Sequence, residues 1–148
     1  MKITSPAFEN SKAMPAKYTC DGENVSPPLK IEDVPEKAKS LALIAEDPDA
    51  PSGNFVHWAI WNLPTSTKEI KEGEKIGSQG RNDFGKLGYG GPCPPSGIHR
   101  YFFRLYALDG YVHIPEGSRA SDVKAAMNGQ IIEEASIIGR YSRSLEIR

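Results

Sequence analysis

The 148-residue chain has few cysteines, no long apolar run and little excess of either charge. Its two cysteines, Cys20 and Cys93, are too few for a disulfide scaffold and lack the close spacing of zinc ligands, so we expect the domain to fold without disulfide or metal. A membrane-spanning helix needs about 18 consecutive apolar residues, and no such run is present. Residues 1–6 lack the apolar region of a signal peptide. These absences predict a soluble, cytoplasmic protein.

The charges are balanced and interleaved, with 18 basic and 19 acidic residues and a net charge of -1. Without a basic stripe or an acidic tail, neither nucleic acid nor a membrane surface is an expected partner. No repeat, linker or low-complexity segment divides the chain, so residues 1–148 are predicted to form a single domain. A domain of this size buries about 68–70% of its unfolded surface, which is enough for one core.

Proline and glycine, 12 and 14 residues respectively, punctuate the whole chain. Short apolar runs lie between them, which is typical of a β-rich fold. The best predicted strands are residues 40–46, 56–63 and 99–108, and the last two are especially rich in β-branched or aromatic residues. Several are apolar on both faces, which predicts strands covered on two sides. Residues 65–83 are polar and are predicted to form a long loop.

Helical signals are confined to the last third of the chain. Ser121 or Asp122 can cap a helix over residues 123–127, and Gly129 can end it. Apolar residues at helical spacing predict a second helix over residues 130–138. We therefore expect helices only at the periphery of a β structure.

Two short turn-forming segments, residues 47–53 and 88–101, contain most of the chemically unusual residues. Each adjoins an apolar strand that can hold it rigidly, so they are predicted to be two walls of one pocket. A role in that pocket is favoured for Asp47, because it ends an apolar strand where an unpaired carboxylate would be costly. For Asp49, a purely local turn remains an alternative, because aspartate commonly bonds to nearby backbone N–H groups.

Two histidines, His57 and His99, lie in largely apolar strands and need partners for both ring nitrogens. The nearest candidates are Asp47 for His57 and the hydroxyl of Tyr101 for His99, since residues 99 and 101 share a strand face. Arg100 points to the opposite side, where an ion pair is expected. A neighbouring carboxylate favours protonated histidine, so anion affinity is expected to fall as pH rises through the histidine titration.

Residues 88–97 are too rich in proline and glycine for a helix or a regular strand. Their backbone N–H groups are therefore expected to be free to face a ligand, as in anion-binding nests. The segment has neither a Walker lysine pattern nor dinucleotide-binding spacing. Together with the histidines, the tyrosine and the acid, it predicts a small polar pocket suited to a phosphate-sized anion.

The chain resembles the phosphatidylethanolamine-binding proteins, also called Raf kinase inhibitor proteins, in their shorter bacterial and archaeal branch. The resemblance covers nearly the whole chain and is most specific in the two central motifs. The motifs that carry it are residues 18–29, 47–52, 56–58, 91–101 and 139–143.

The resemblance implies a mainly β fold: a sandwich-like pair of antiparallel sheets of Greek-key type, with a few short peripheral helices near the C-terminus. It also implies a pocket for phosphate, phosphorylethanolamine or similar anions, with no cofactor. The ligand-binding residues that it implies are the side chains of Asp47, His57, His99 and Tyr101, the backbone of Gly91 and Pro92, and the neighbouring turn at Asp49.

These features favour a non-catalytic binding protein, and the resemblance implies that it inhibits a kinase or a serine protease by occupying it. The alternative is a hydrolase of small phosphoesters with His57 or His99 as general base. A metal site is not expected, because the candidate ligands lack a close spacing motif. The sequence leaves open the physiological ligand and whether the domain forms a homodimer.

Overall fold

The computed structural model describes residues 1–143, which form a mainly β fold with two sheets. The strands, in chain order, are β1 (Lys2–Thr4), β2 (Lys12–Ala13), β3 (Leu29–Glu32), β4 (Ser40–Asp47), β5 (Phe55–Leu63), β6 (Glu69–Ile70), β7 (Ser78–Gln79), β8 (His99–Leu108) and β9 (Ile131–Tyr141). A 3-10 turn spans Ala16–Tyr18, and the single α-helix of this region, α1, spans Ala120–Met127. None of the helices described is long and apolar enough to cross a membrane.

The larger sheet has the strand order β2-β9-β8-β4-β5-β7, and the smaller sheet has the order β1-β3-β6. Neighbouring strands are antiparallel except β2 and β9, which pair in parallel. The prediction of two purely antiparallel sheets is therefore wrong at this one edge. Greek-key connectivity stays a prediction.

The three strands predicted with most support are confirmed as β4, β5 and β8, the centre of the larger sheet. All eight residues of β4 are buried, because both faces of the sheet are covered. On one face, Leu43 lies in a core cluster with Ile31 of the smaller sheet. On the other face, Ile44 packs in a cluster with Val123 of α1. Each such aliphatic side chain contributes about 1.5–3 kcal/mol when fully buried, so this double coverage fixes the strands that lead to the pocket.

The second predicted helix, over residues 130–138, is wrong, because these residues belong to β9. β9 pairs with β8 from the His99–Tyr141 pair to the Leu108–Ile131 pair. Pairing along this length gives hydrogen-bond partners to the facing backbone N–H and C=O groups of both strands, and β-branched isoleucine fits a pleated sheet. Long-range pairing therefore overrides the helical spacing of the apolar residues.

The predicted long loop over residues 65–83 contains β6 and β7 and buries Ile70 and Asn82. Each of these strands has two residues, too few for a periodic signal. The first predicted helix is confirmed but begins at Ala120, three residues early. It is capped from Arg119, whose N–H donates to the Asp122 carboxylate at 3.0 Å.

Candidate functional site

A cavity of about 230 Å³ lies where β4 ends and β5 and β8 begin. Because these strands are antiparallel neighbours, the three strand ends meet at one edge of the larger sheet. The residues that line the cavity are Asp47, Ala50, Pro51, Ser52, Phe55, His57, Phe84, Cys93, Pro94, Pro95, His99 and Tyr101. The two turn-forming segments therefore form walls of one pocket, as predicted.

Strand register explains why the polar side chains meet. Asp47 pairs with Phe55 across β4 and β5. On the other side of β4, Glu46 pairs with Phe102, which brings Tyr101 beside Asp47. Side chains two residues apart point to the same face of a strand, so His57 follows Phe55 and His99 precedes Tyr101 on the cavity side.

The Asp47 carboxylate is fully engaged by protein donors. One oxygen lies 2.6 Å from Nδ1 of His99, and the other accepts the backbone N–H of Asp49 at 2.7 Å. Both side chains of the Asp47–His99 pair are buried. The prediction that Asp47 pairs with His57 is wrong, because β4 lies between the two histidine strands and the carboxylate turns toward β8. Because a carboxylate accepts hydrogen bonds, Nδ1 of His99 carries the proton, and this bond fixes the orientation of the ring.

His57 is hydrogen-bonded to the backbone instead. Its Nδ1 lies 2.6 Å from the carbonyl oxygen of Gly90. The rings of Phe55, Phe84 and Tyr101 surround it with centroid distances of 5.0–5.4 Å. This burial lowers the pKa of His57 below its ordinary value, despite the opposing influence of the Gly90 carbonyl. The His57 ring is therefore neutral at neutral pH.

Three polar atoms open into the cavity: Nε2 of His57, Nε2 of His99 and the hydroxyl of Tyr101. None of them makes a hydrogen bond to another residue of the described chain. They are also not fully buried, because among the described residues the only fully buried side-chain nitrogen or oxygen without a hydrogen-bond partner is Nε1 of Trp61. The predicted bond between Tyr101 and His99 is therefore wrong; the two rings stack with centroids 6.4 Å apart. Burial raises the pKa of Tyr101, so its hydroxyl remains a donor.

The glycine-rich segment does not offer the free amides that were expected. The N–H groups of Gly88 and Gly90 donate to the carbonyls of Gly80 and His57. The N–H of Gly91 donates to Asn24 Oδ1 at 2.8 Å. The expectation is therefore wrong for these three amides, since each already has a partner within the fold.

Gly91 and Pro92 shape the loop and do not line the cavity. A Cβ at Gly91 would collide with the Tyr18 carbonyl, so the loop approaches this turn more closely than any other residue type allows. Pro92 has no N–H, and its carbonyl accepts the N–H of Cys20 at 3.1 Å. A direct contact between ligand and either residue stays a prediction.

A disulfide joins Cys20 to Cys93, with 5.4 Å between their Cα atoms. The sequence left the state of both cysteines open, and the expectation of a fold without a disulfide is not met. Nothing in the sequence indicates the pairing, because the residues are 73 positions apart and meet only through the tertiary fold. Cys93 lines the cavity, so the bond ties one cavity wall to the turn that follows Ala16–Tyr18.

Asp49 lies outside the cavity and joins the two pocket segments to each other. Its carboxylate accepts the backbone N–H and Nε of Arg100, both at 2.9 Å, and Nη2 at 2.8 Å. The Arg100 side chain lowers the pKa of Asp49 to about 2. The ion pair expected for Arg100 is confirmed, and Asp49 acts here as a structural link rather than a lining group.

An apolar rim surrounds the three polar atoms, formed by Phe55, Phe84, Pro94 and Pro95. Pro94 and Pro95 belong to a segment that was predicted to form a wall, but sequence reasoning missed Phe55 and Phe84. Phe55 could have been found because it shares a strand face with His57. Phe84 lies within a turn and is 46% exposed, so no periodic pattern marks it. Among the described residues, no group of three or more histidine, cysteine or acidic side chains is arranged to hold a metal ion.

Comparison with known proteins gives a consistent result. The family model for phosphatidylethanolamine-binding protein matches residues 4–142. A UPF0098 protein from Methanothermobacter thermautotrophicus is 49% identical over 150 residues, covering 97% of this chain and 99% of that protein. The crystal structure of a phosphatidylethanolamine-binding protein homologue from Chlamydia trachomatis superposes with a TM-score of 0.93 at 42% identity, covering 97% of both chains. YbcL from E. coli, described as a member of the mammalian PEBP family, has a TM-score of 0.90 at 32% identity, covering 97% of this chain and 98% of its own.

Proposed function

The chain belongs to the phosphatidylethanolamine-binding protein family, in its bacterial and archaeal branch, and from that premise we propose that its cavity binds the phosphate group of a small ligand such as phosphorylethanolamine. Family membership supports a binding-type protein. The observation that carries the proposal is the convergence of His57 Nε2, His99 Nε2 and the Tyr101 hydroxyl on one cavity. At about 230 Å³, the cavity is smaller than the roughly 300–1,000 Å³ of drug-sized sites, which favours a small ligand.

The carboxylate in the pocket is compatible with an anionic ligand. Both oxygens of Asp47 already accept hydrogen bonds from the protein, which disperses the negative charge toward those donors. Tyr101 keeps its proton and can donate to a phosphate oxygen. Asp47 lines the cavity, but one of its oxygens is hydrogen-bonded to Nδ1 of His99, so His99 stabilises this carboxylate beside the proposed anion.

The organic part of the ligand would contact the apolar rim. Phe55 and Phe84 present aromatic rings, and an ammonium group within about 6 Å of an aromatic face is attracted by the ring quadrupole. Pro94 and Pro95 add apolar surface on the opposite segment. A phosphate that carries a short aliphatic amine therefore suits both the base and the rim of the cavity.

The experiment that tests this function is an NMR titration with phosphorylethanolamine, followed through histidine ring and backbone amide signals. We expect saturable shifts at His57 and His99, loss of binding in His99→Ala, and no response at the exposed His113. Inorganic phosphate is the comparison, because the ratio of affinities measures the contribution of the ethanolamine group. If neither compound shifts the two pocket histidines at millimolar concentration, the proposed function is wrong.

Inhibition of a kinase or a serine protease by occupying it is the cellular role that family membership favours. We propose that it occurs in the cytoplasm.

The Cys20–Cys93 disulfide tests this location, because disulfides are rare in most reducing cytosols and an oxidised pair in cells would count against it. Alkylation of thiols in intact cells, followed by mass spectrometry, would measure the fraction oxidised. Inhibition assays with His99→Ala would then separate a role that needs the pocket from one that uses another surface.

A second candidate function is hydrolysis of small phosphoesters, favoured by the buried Asp47–His99 pair. A histidine oriented by an acid behind it is the arrangement of a general base. Ser52 is the serine hydroxyl on the cavity lining. Turnover of a phosphoester panel that is abolished in His99→Ala would support this function, and absence of turnover with normal anion binding would exclude it for those substrates.

A further inference from the structure

His57 presents a hydrogen-bond acceptor to a pocket that is otherwise suited to an anion. We propose that this acceptor makes the site selective for phosphate groups that still carry a proton, with the P–OH group donating to Nε2 of His57. The inference rests on the proposed anion-binding function and adds a ligand class to it: protonated phosphate and phosphomonoesters, to the exclusion of fully ionised anions of the same shape.

The hydrogen bond to Gly90 determines which ring nitrogen carries the proton. A carbonyl oxygen can only accept, so Nδ1 of His57, at 2.6 Å, must be the donor. In a neutral imidazole the other nitrogen then has a lone pair and no hydrogen. That nitrogen, Nε2, opens into the cavity. A fully ionised oxyanion would place one lone pair against another at this point.

The surroundings of His57 keep its ring neutral. The side chain is 5% exposed and lies among aromatic rings. The charged groups that act on it are Asp47 from β4 and Asp83 from the loop after β7, and both favour the protonated ring. Asp47 is engaged by His99, and Asp83 accepts the Val56 N–H at 2.6 Å. Burial outweighs both carboxylates, so the pKa of His57 lies below its ordinary value.

The consequence is discrimination between anions that differ in one proton. Phosphomonoesters have a second pKa of about 6, so near this pH a large fraction carries a P–OH group. Sulfate has the same tetrahedral shape but no proton to donate. A buried polar group without its partner costs about 5- to 160-fold in binding. Tyr101 can donate to an oxygen of either anion, so it does not contribute to this selectivity.

The first experiment compares inorganic phosphate with sulfate near pH 6 by calorimetry. We expect the wild-type protein to bind phosphate at least about fivefold more tightly than sulfate. In His57→Gln the side-chain amide can turn N–H donors toward the cavity, so the ratio of affinities should fall toward one. His113→Gln is the matched control, because this histidine is exposed and outside the cavity; its ratio should equal that of the wild type.

The second experiment measures the protonation of His57 directly, in the wild-type protein, and so does not depend on the folding of a variant. Long-range ¹H–¹⁵N spectra of the imidazole should show a protonated Nδ1 and an unprotonated Nε2, both without ligand and with bound phosphate. Equal affinities for phosphate and sulfate, or a doubly protonated His57 in the complex, would overturn the inference while leaving the anion site intact. Absence of binding by both anions would overturn the proposed function as well.

Discussion

Removal of the Cys20–Cys93 disulfide should destabilise the fold by a large and calculable amount. The bond links residues 73 positions apart. In the chain-entropy description, closing a loop of this length removes about 15 cal/mol/K from the unfolded ensemble, or about 4.4 kcal/mol at 25 °C. We therefore expect the Cys20→Ser, Cys93→Ser double variant to lose about 4 kcal/mol in its free energy of unfolding.

The assay is guanidinium-induced unfolding followed by tryptophan fluorescence, because Trp58 and Trp61 are buried in the native fold. For a chain of this length, a loss of about 4 kcal/mol lowers the thermal midpoint by roughly 10–15 °C. The wild-type protein in reducing agent should unfold like the double variant. The double variant itself should be insensitive to reducing agent, which makes it the internal control.

Mass spectrometry must first show that the disulfide is intact without reducing agent and broken with it. If the unfolding midpoint of the wild-type protein is nevertheless the same in both samples, the reasoning is refuted. In that case the reduced unfolded chain would retain compact structure that already brings the two segments together. A change in the denaturant slope between the two samples would identify that compactness, since the slope scales with the surface exposed on unfolding.

Three further predictions concern side chains at and near the pocket. Asp47→Ala leaves a buried histidine without its hydrogen-bond partner and should lower the free energy of unfolding by about 1–3 kcal/mol in the same denaturation assay. Arg100 lowers the pKa of Asp49 to about 2. The stabilising effect of Asp49 is therefore complete above its unfolded-state pKa and is lost as pH falls toward 2. Asp49→Asn should reduce this loss of unfolding free energy in denaturation curves measured from pH 5 to 2. Phe84→Ala should weaken binding of phosphorylethanolamine more than that of inorganic phosphate in calorimetric titrations, with a stability change below about 1 kcal/mol. Leu87 is also an exposed apolar residue but lies outside the cavity, so Leu87→Ala should leave both affinities unchanged.

Local sequence was sufficient to locate the central strands and the elements of the pocket. The aromatic and β-branched residues from 56 to 63 and from 99 to 108 form strands because their preference and their burial agree. Alternation along a strand then placed His99 and Tyr101 on one face and Arg100 on the other. These are properties of neighbouring residues, which a single sequence contains in full.

Features that depend on strand order could not be predicted in the same way. Whether Asp47 meets His57 or His99 depends on which strands flank β4 and on how the carboxylate turns between them. The Cys20–Cys93 bond likewise joins two turns that no local pattern relates. The second helix was predicted wrongly because isoleucines at helical spacing also suit a strand, and only the partner strand β8 decides between the two.

The proline residues of the cavity wall have a consequence for kinetics. Pro51, Pro94 and Pro95 all line the cavity, and each has a backbone torsion fixed by its own ring. We therefore expect the cavity to keep the same geometry when the proposed ligand binds, with little ordering on association. Association should follow a single exponential whose rate rises linearly with ligand concentration. Differences in affinity among ligands should then appear chiefly in how long each one remains bound.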